Sequence, residues 1–446
     1  MSGKRRARAR RGPPGGLGIS RSRYDDAKTI KRRLPLDDRC HYKGGPRVAR
    51  PRVRASPLRK ALMSMRLQQA IQTLLASAPL LRDASSSGNV RVLASLLGPA
   101  FRGFVQRRGK GVGSTDISVG YEASFNWSYG RDDPDMARLY HLAKTSQWNA
   151  TTDLDWSRDV DWLDPAMPLL PDSWMPPSKL PIWGRLSERE RAAQRHGLLS
   201  WMLSQFLHGE QGALFAASQV TECVPSLDAK LYGSTQVADE GRHVEVFHAY
   251  LTQKLEKLYE INDNLYVVID AIMSDGRWDM KFLGMQIMIE GLALGAFSSI
   301  RQVTSEPLLK DVLRSVITDE ARHVHYGVLA LTRFYREGIG ERARREREDW
   351  AFELSLLLRN RFLAHEFYDE FYAHRMTRCE WDKLMLESDL MGFFRRTMFK
   401  RIVPNLKRIG LLSGRIRPRY ASIGLLEYEH GRSASELTAK ELLDDA

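Results

Sequence analysis

Glu210 and Glu290 stand 80 residues apart, and each is followed, after 28 intervening residues, by the same run of acid, acid, spacer, arginine and histidine. The two runs are Asp239-Glu240-Gly241-Arg242-His243 and Asp319-Glu320-Ala321-Arg322-His323. Within each run a Glu and a His three apart lie on one helix face, about 5 Å apart along the axis, so both can reach a single point. Carboxylate oxygens and imidazole nitrogens are ligands for divalent transition metals, and four carboxylates balance the charge of two such ions. The offset also pairs Ala213 with Ala293, Leu214 with Leu294, Ala216 with Ala296, Ser218 with Ser298 and Val244 with Val324. With two copies this is a pseudo-symmetric pair of units, not a solenoid.

The elements that must position these residues follow from the same spacing. The midpoint between Glu210 and Glu240 is Pro225, and that between Glu290 and Glu320 is Ser305, two residues before Pro307. Each pair therefore sits on an antiparallel helical hairpin, its two Glu residues level with each other and about 20 Å from the turn. Two facing hairpins would bring four Glu and two His together inside a bundle. Ser187-Glu188-Arg189-Glu190 reads as a capping-box helix start. Helical patterning runs from there to the C-terminus, punctuated at Pro225, Asp275-Gly276, Pro307, Gly338, Gly340 and Pro404, and no segment beyond 187 alternates like a strand. The fold class is all-α.

A lone Glu-x-x-His is usually a solvated helix face, and a lone buried Glu can simply pair with an arginine. Two copies of both, at one offset and with matching turns, favour a metal site. Glu290 sharpens this, because it is the one charge in Phe282 to Ile300, 19 residues that look like a membrane span. Its repeat partner Glu210 lies in a far less apolar helix, which argues against a span. An unpaired carboxylate so placed would stay protonated or cost several kcal/mol.

At these residues the chain resembles the ferritin-like diiron carboxylate superfamily, whose bundles use a Glu from each of two helices and Glu-x-x-His from each of two others. The resemblance covers about 187–338 and is nearest the oxygen-activating branches: ribonucleotide reductase small subunits and their ligand-binding oxidase relatives, multicomponent monooxygenases, acyl desaturases and p-aminobenzoate N-oxygenases. It implies a ferritin-like four-helix bundle with additional N- and C-terminal helices. It also implies that Glu210, Glu240 and His243 serve one iron and Glu290, Glu320 and His323 the other, with Glu carboxylates bridging and a Mn/Fe pair as a variant. Asp239 and Asp319 would accept the second ring N–H of a ligand histidine, with Arg242 and Arg322 pairing with these acids. Two departures narrow the match. Phe247 stands where reductase subunits commonly carry a radical Tyr, and Val316 stands where the N-oxygenases carry a further His. The stretch Trp148 to Trp162, with Asp153, Asp155, Asp159 and Asp161, resembles the segment ahead of the bundle in the reductase-like oxidases, and packing of aromatic anchors is the simpler account of it. His325 points to another helix face and is read as structural.

The resemblance implies an oxygen-dependent oxidoreductase acting on a small or apolar organic substrate by hydroxylation, N-oxygenation or desaturation. Phe206, Leu214, Val244, Phe247, Leu294 and Val324, each near a ligand on its helix, are the candidates for the pocket, although core packing alone also places apolar residues there. No glycine fingerprint for a nucleotide is present, so electrons would come from an external reductase or ferredoxin. The rival readings are a ferroxidase or storage protein, disfavoured because the chain extends well beyond the bundle on both sides, and a nucleic-acid-modifying hydroxylase.

The second rival rests on charge. The chain carries a net +14, but residues 1–60 hold 20 Lys/Arg against 4 Asp/Glu, leaving the other 386 residues at −2. The basic excess belongs to an Arg-rich, Pro- and Gly-containing tail that reads as disordered, and a nucleic-acid partner is disfavoured. The expected organisation is this tail (1–60), a helical and irregular segment (61–186), the bundle (187–338) and a helical extension (339–446). Cys40, Cys223 and Cys379 form no CxxC pair, so neither disulfides nor a thiolate zinc site is indicated. A reducing, cytoplasmic location fits, no membrane span is expected, and a homodimer is compatible. Deleting residues 1–60 should leave metal content and melting temperature nearly unchanged, whereas a large fall in Tm would show that the tail belongs to the fold.

Overall fold

The structure, a computed structural model, describes residues 89–111 and 113–444, so the basic tail and the start of helical patterning near Ser56-Pro57 lie outside the described residues. These are helix, turn and loop without a strand. In chain order the principal helices are α1 (Val90–Ala100), α2 (Pro134–Thr145), α3 (Glu188–Cys223), α4 (Leu227–Ala249), α5 (Asp263–Ser274), α6 (Trp278–Val303), α7 (Pro307–Glu337), α8 (Glu341–Asn360) and α9 (Asp389–Arg408). Helices α3 and α4 make one hairpin and α6 and α7 the other. Together they form an all-α four-helix bundle, with α1 and α2 preceding it and α8 and α9 following.

Local chemistry sets the ends of these helices. Ser187 and Glu190 cap α3 reciprocally. The first hairpin turns at residues 224–226, where the Ser226 hydroxyl accepts from the Ala229 N–H. The second turns at 304–306, where the buried Glu306 carboxylate accepts from the N–H groups of Leu308 and Leu309 at 2.8 and 2.6 Å and from the Tyr250 hydroxyl at 2.6 Å. Both turns fall at the midpoints expected from the Glu spacing.

Helix α6 carries the one described segment long and apolar enough to cross a membrane, yet 94% of that window is buried inside the protein. It is the central core helix. Gly284 lets it approach its neighbours, since a Cβ there would collide with Ile272 of α5 and lie 2.9 Å from Trp350 of α8. On its other side, a Cβ at Gly291 would lie 3.4 Å from Asn405 of α9. From Leu283 to Ile289 the helix widens to π geometry, and the Glu290 N–H bonds back to the Met285 carbonyl. Such bulges mark functional positions because they re-aim side chains at a cost in regular bonding.

One expected break is absent: Pro404 lies inside α9. Proline costs an interior hydrogen bond and crowds the preceding turn. Here the ring faces Gly431, where even a Cβ would lie 3.2 Å from Pro404 Cγ.

Candidate metal centre

The structure brings Glu210, Glu240, His243, Glu290, Glu320 and His323 together at mid-bundle, all buried. Their ligand atoms fall into two overlapping sets. Glu210, Glu240, His243 and Glu320 offer one atom each within 4.8 Å of one another, and so do Glu240, Glu290, Glu320 and His323. The shared members are Glu240 and Glu320, the Glu of each Glu-x-x-His, so each of these carboxylates could serve both sets.

Each histidine is oriented across the bundle by the other motif's aspartate. His243 Nε2 lies 3.3 Å from Asp319 and His323 Nε2 lies 3.2 Å from Asp239. A carboxylate there can only accept, so Nε2 donates and Nδ1 faces the glutamates. His243 Nδ1 is 3.1 Å from Glu320, and His323 Nδ1 is 3.1 Å from Glu240. Arg242 pairs with Asp239 and, at 3.2 Å, with Asp319. Arg322 pairs with Asp319 and, at 3.4 Å, with Asp239. Fixing the outer ring nitrogen in this way sets the tautomer a ligand histidine needs.

The donor set fits a pair of divalent ions. Glu240 Oε2, Glu290 Oε2, both oxygens of Glu320 and His323 Nδ1 are buried without a well-directed hydrogen bond, although all but Glu290 Oε2 lie 3.1–3.4 Å from an oppositely charged neighbour. Orphaned polar atoms of this kind are costly unless something binds them. The charges agree. Burial, with Glu320 next, holds Glu210 and Glu290 well above the usual carboxylate range. Burial alone would lower His243 and His323, but the facing carboxylates raise both well above the usual histidine value. The same histidines overcome burial to hold Glu240 and Asp319 below theirs. These directions favour protons on Glu210, Glu290, His243 and His323 in the metal-free site, positive charge that bound divalent ions would replace.

Sequence reasoning missed a polar layer around this set. Gln236 donates to Glu240 and to Glu290, both at 2.9 Å, and Gln286, from the π segment, donates to Gln236 at 3.3 Å. At the 80-residue offset Gln236 corresponds to Val316 and Gln286 to Phe206. That mismatch was the available signal, because it makes the pseudo-symmetric site chemically asymmetric. The Trp148 segment also contributes: Trp148 Nε1 donates to Asp319 at 2.7 Å, and Gln147 donates to Asp239 at 3.2 Å while accepting from Arg242 at 2.6 Å. The aspartates after Trp148 are spent locally, Asp153 on the Asn149 N–H and Asp155 on Ser157 and Arg158. Trp162 stacks on His196 at 4.7 Å. His325 is half-buried and belongs to neither ligand set.

A small cavity borders Glu210, Glu290 and Glu320 and is walled by Phe206, Ala213, Ala293 and Phe297. Of the six pocket candidates it takes in Phe206 alone. Leu214 and Val244 are half-buried, while Leu294 and Val324 are buried away from it. Phe247 stands behind it, 6.0 Å from the Phe206 ring and 5.6 Å from Phe297. The geometric reason is that a step of four residues overshoots a full turn by about 40°. On α3 the step of three, to Ala213, faces the cavity and Leu214 turns outward. Arg361, which sequence reasoning did not single out, also lines it. It follows an arginine-rich helix, and nothing in its spacing sets it apart.

No protein-family profile matches the chain, and neither does any curated protein. Among solved structures it is similar to a variant of an R2-like ligand-binding oxidase with an anaerobically reconstituted Mn/Fe cofactor, at 19% identity over 63% of this chain and 95% of that one, with a TM-score of 0.40. A second variant of that oxidase, also with Mn/Fe, matches at 18% identity over 60% and 94%, with a TM-score of 0.39.

Proposed function

We propose that the chain is an oxygen-dependent oxidoreductase with a dinuclear metal centre, iron or manganese with iron, that oxidises a small organic substrate. The observation that carries this reading is the convergence of orphaned ligand atoms from both Glu-x-x-His motifs beside an apolar cavity. Glu210, Glu240, His243, Glu290, Glu320 and His323 would hold the ions, which supply the electron-transfer chemistry with dioxygen that these side chains lack. Gln236 holds Glu240 and Glu290 in place, and the Asp–Arg lattice fixes both imidazoles. Phe206, Phe297 and Phe247 exclude water from the cavity side, protecting reactive species from side reactions. Hydroxylation, N-oxygenation and desaturation all suit this arrangement. Electrons must come from an external donor, and the half-buried Trp148 begins a hydrogen-bonded path through Asp319 to His243.

The test is oxygen uptake by the reduced, iron-loaded protein supplied with an external reductant. Uptake should recur while about two ions stay bound, and Ala213→Phe or Ala293→Phe should change its rate severalfold without releasing them. Oxidation of iron far beyond two ions per chain, with mineral deposited, would instead make the protein an iron-storage device.

A further inference from the structure

Among the described residues Arg361 is a buried cation with no hydrogen-bond or ion-pair partner. It lies in the turn just beyond α8, is 4% exposed, and its Nε is buried with no hydrogen-bond partner. Burial alone acts on its pKa, lowering it to about 10, so no described carboxylate compensates the charge and the group stays protonated at neutral pH. Its guanidinium rests on the Phe362 ring, 4.7 Å from Cζ to centroid. Other buried arginines are paired: Arg347 with Asp279, Arg195 with Asp172 and Glu188, Arg322 with Asp319. A charge left unpaired in the interior is destabilising, and its persistence points to a ligand that arrives with the opposite charge.

The ligand's chemistry follows from the cavity that Arg361 lines. One guanidinium balances one negative charge, and its fork matches the two oxygens of a carboxylate, whereas a phosphate dianion would leave a charge uncompensated. Besides Arg361 and the glutamates the lining is Gln205, Phe206, Gly209, Ala213, Ile289, Ala293 and Phe297, and the Gln205 amide is engaged by the Glu260 carbonyl and the Asn262 N–H, so the rest of the ligand is apolar. The cavity holds about 20 Å³, room for a group of about a water's size. A Cβ at Gly209, on the same wall, would meet nothing within 4 Å, which leaves space for a larger body once the phenyl rings shift.

We propose that Arg361 binds the carboxylate of a monoanionic, otherwise apolar substrate and so presents its far end to the Glu210 and Glu290 side of the metal centre. This rests on the oxidoreductase reading above. Benzoate and its neutral isostere benzamide are the probes, measured by calorimetry and melting on the full chain, both metal-loaded and metal-stripped. Benzoate should bind both forms and be preferred over benzamide by about tenfold or more, as expected for a charge-assisted bidentate pair. Arg361→Met should abolish that preference and keep the wild-type metal content. It should also melt about 3 °C or more above wild type without ligand, because the uncompensated charge is gone. Arg361→Lys should retain part of the preference. Equal benzoate binding by Arg361→Met, binding that requires metal, or a lower melting temperature in that variant would each overturn the proposal. Benzoate binding through Arg361 in a wild-type protein that takes up no metal would instead uphold the anchor and defeat the oxidoreductase reading.

Discussion

Replacing Glu240 and Glu320 together by alanine is expected to take the metal content from about two ions per chain to near zero. These two carboxylates are the members common to both ligand sets, so their loss strips each ion of two ligands at once. The single substitutions Glu210→Ala and Glu290→Ala should act unequally on the two positions. Glu210 belongs only to the set with His243, and Glu290 only to the set with His323. Each should weaken one ion by about tenfold or more and spare the other, by analogy with the effect of altering groups around a site. Elemental analysis after dialysis, with circular dichroism confirming retained helix, reads the result. Two tightly held ions in the double variant would sink the ligand assignment.

Metal loading should release protons, more than one per chain, because protonated ligands must ionise before they coordinate. The groups that supply them are Glu210, Glu290, His243 and His323, all held above their ordinary values in the metal-free site. The sign for stability follows. Groups with raised values favour the fold below their unfolded pKa, about 4.3 for Glu and 6.5 for His, and lose that contribution as pH rises through the folded value. Asp239, Glu240 and Asp319, with lowered values, favour the fold above about 4 and lose that contribution as pH falls. The metal-free protein should therefore be most stable between about pH 4 and 6 and melt progressively lower towards pH 9. The loaded protein should show the opposite trend from pH 5 to 8, since its ligands must be deprotonated. A titration in weak buffer with a pH indicator counts the protons, and calorimetry follows both melting curves. Release of fewer than one proton, or parallel pH trends for the two forms, would contradict the charge account.

The clustering of the six Glu and His side chains was legible because their spacing is rigid. Residues three apart share a helix face, residues 30 apart straddle a turn at Pro225 or Ser305, and the 80-residue repeat shows both twice. The capping box at Ser187 and the breaks at Pro225 and Pro307 were legible for the same local reason. What escaped is set by tertiary contact. Gln236 and Gln286 become partners only when α4 meets the π segment of α6, and no local pattern announces that widening. Arg361 looks like any arginine after a charged helix until burial leaves it unpaired. Pro404 reads as a break until Gly431 is seen to accommodate its ring. The pocket residues needed the true angular setting of α3, which decides between Ala213 and Leu214.

The central claim is that one bundle interior holds two ions between two shared carboxylates. Anomalous diffraction from crystals of the iron-loaded protein tests it most directly. The expected map shows two peaks flanked by Glu240 and Glu320, one beside Glu210 and His243 Nδ1 and the other beside Glu290 and His323 Nδ1. A single peak, or metal bound anywhere other than between those carboxylates, would contradict it.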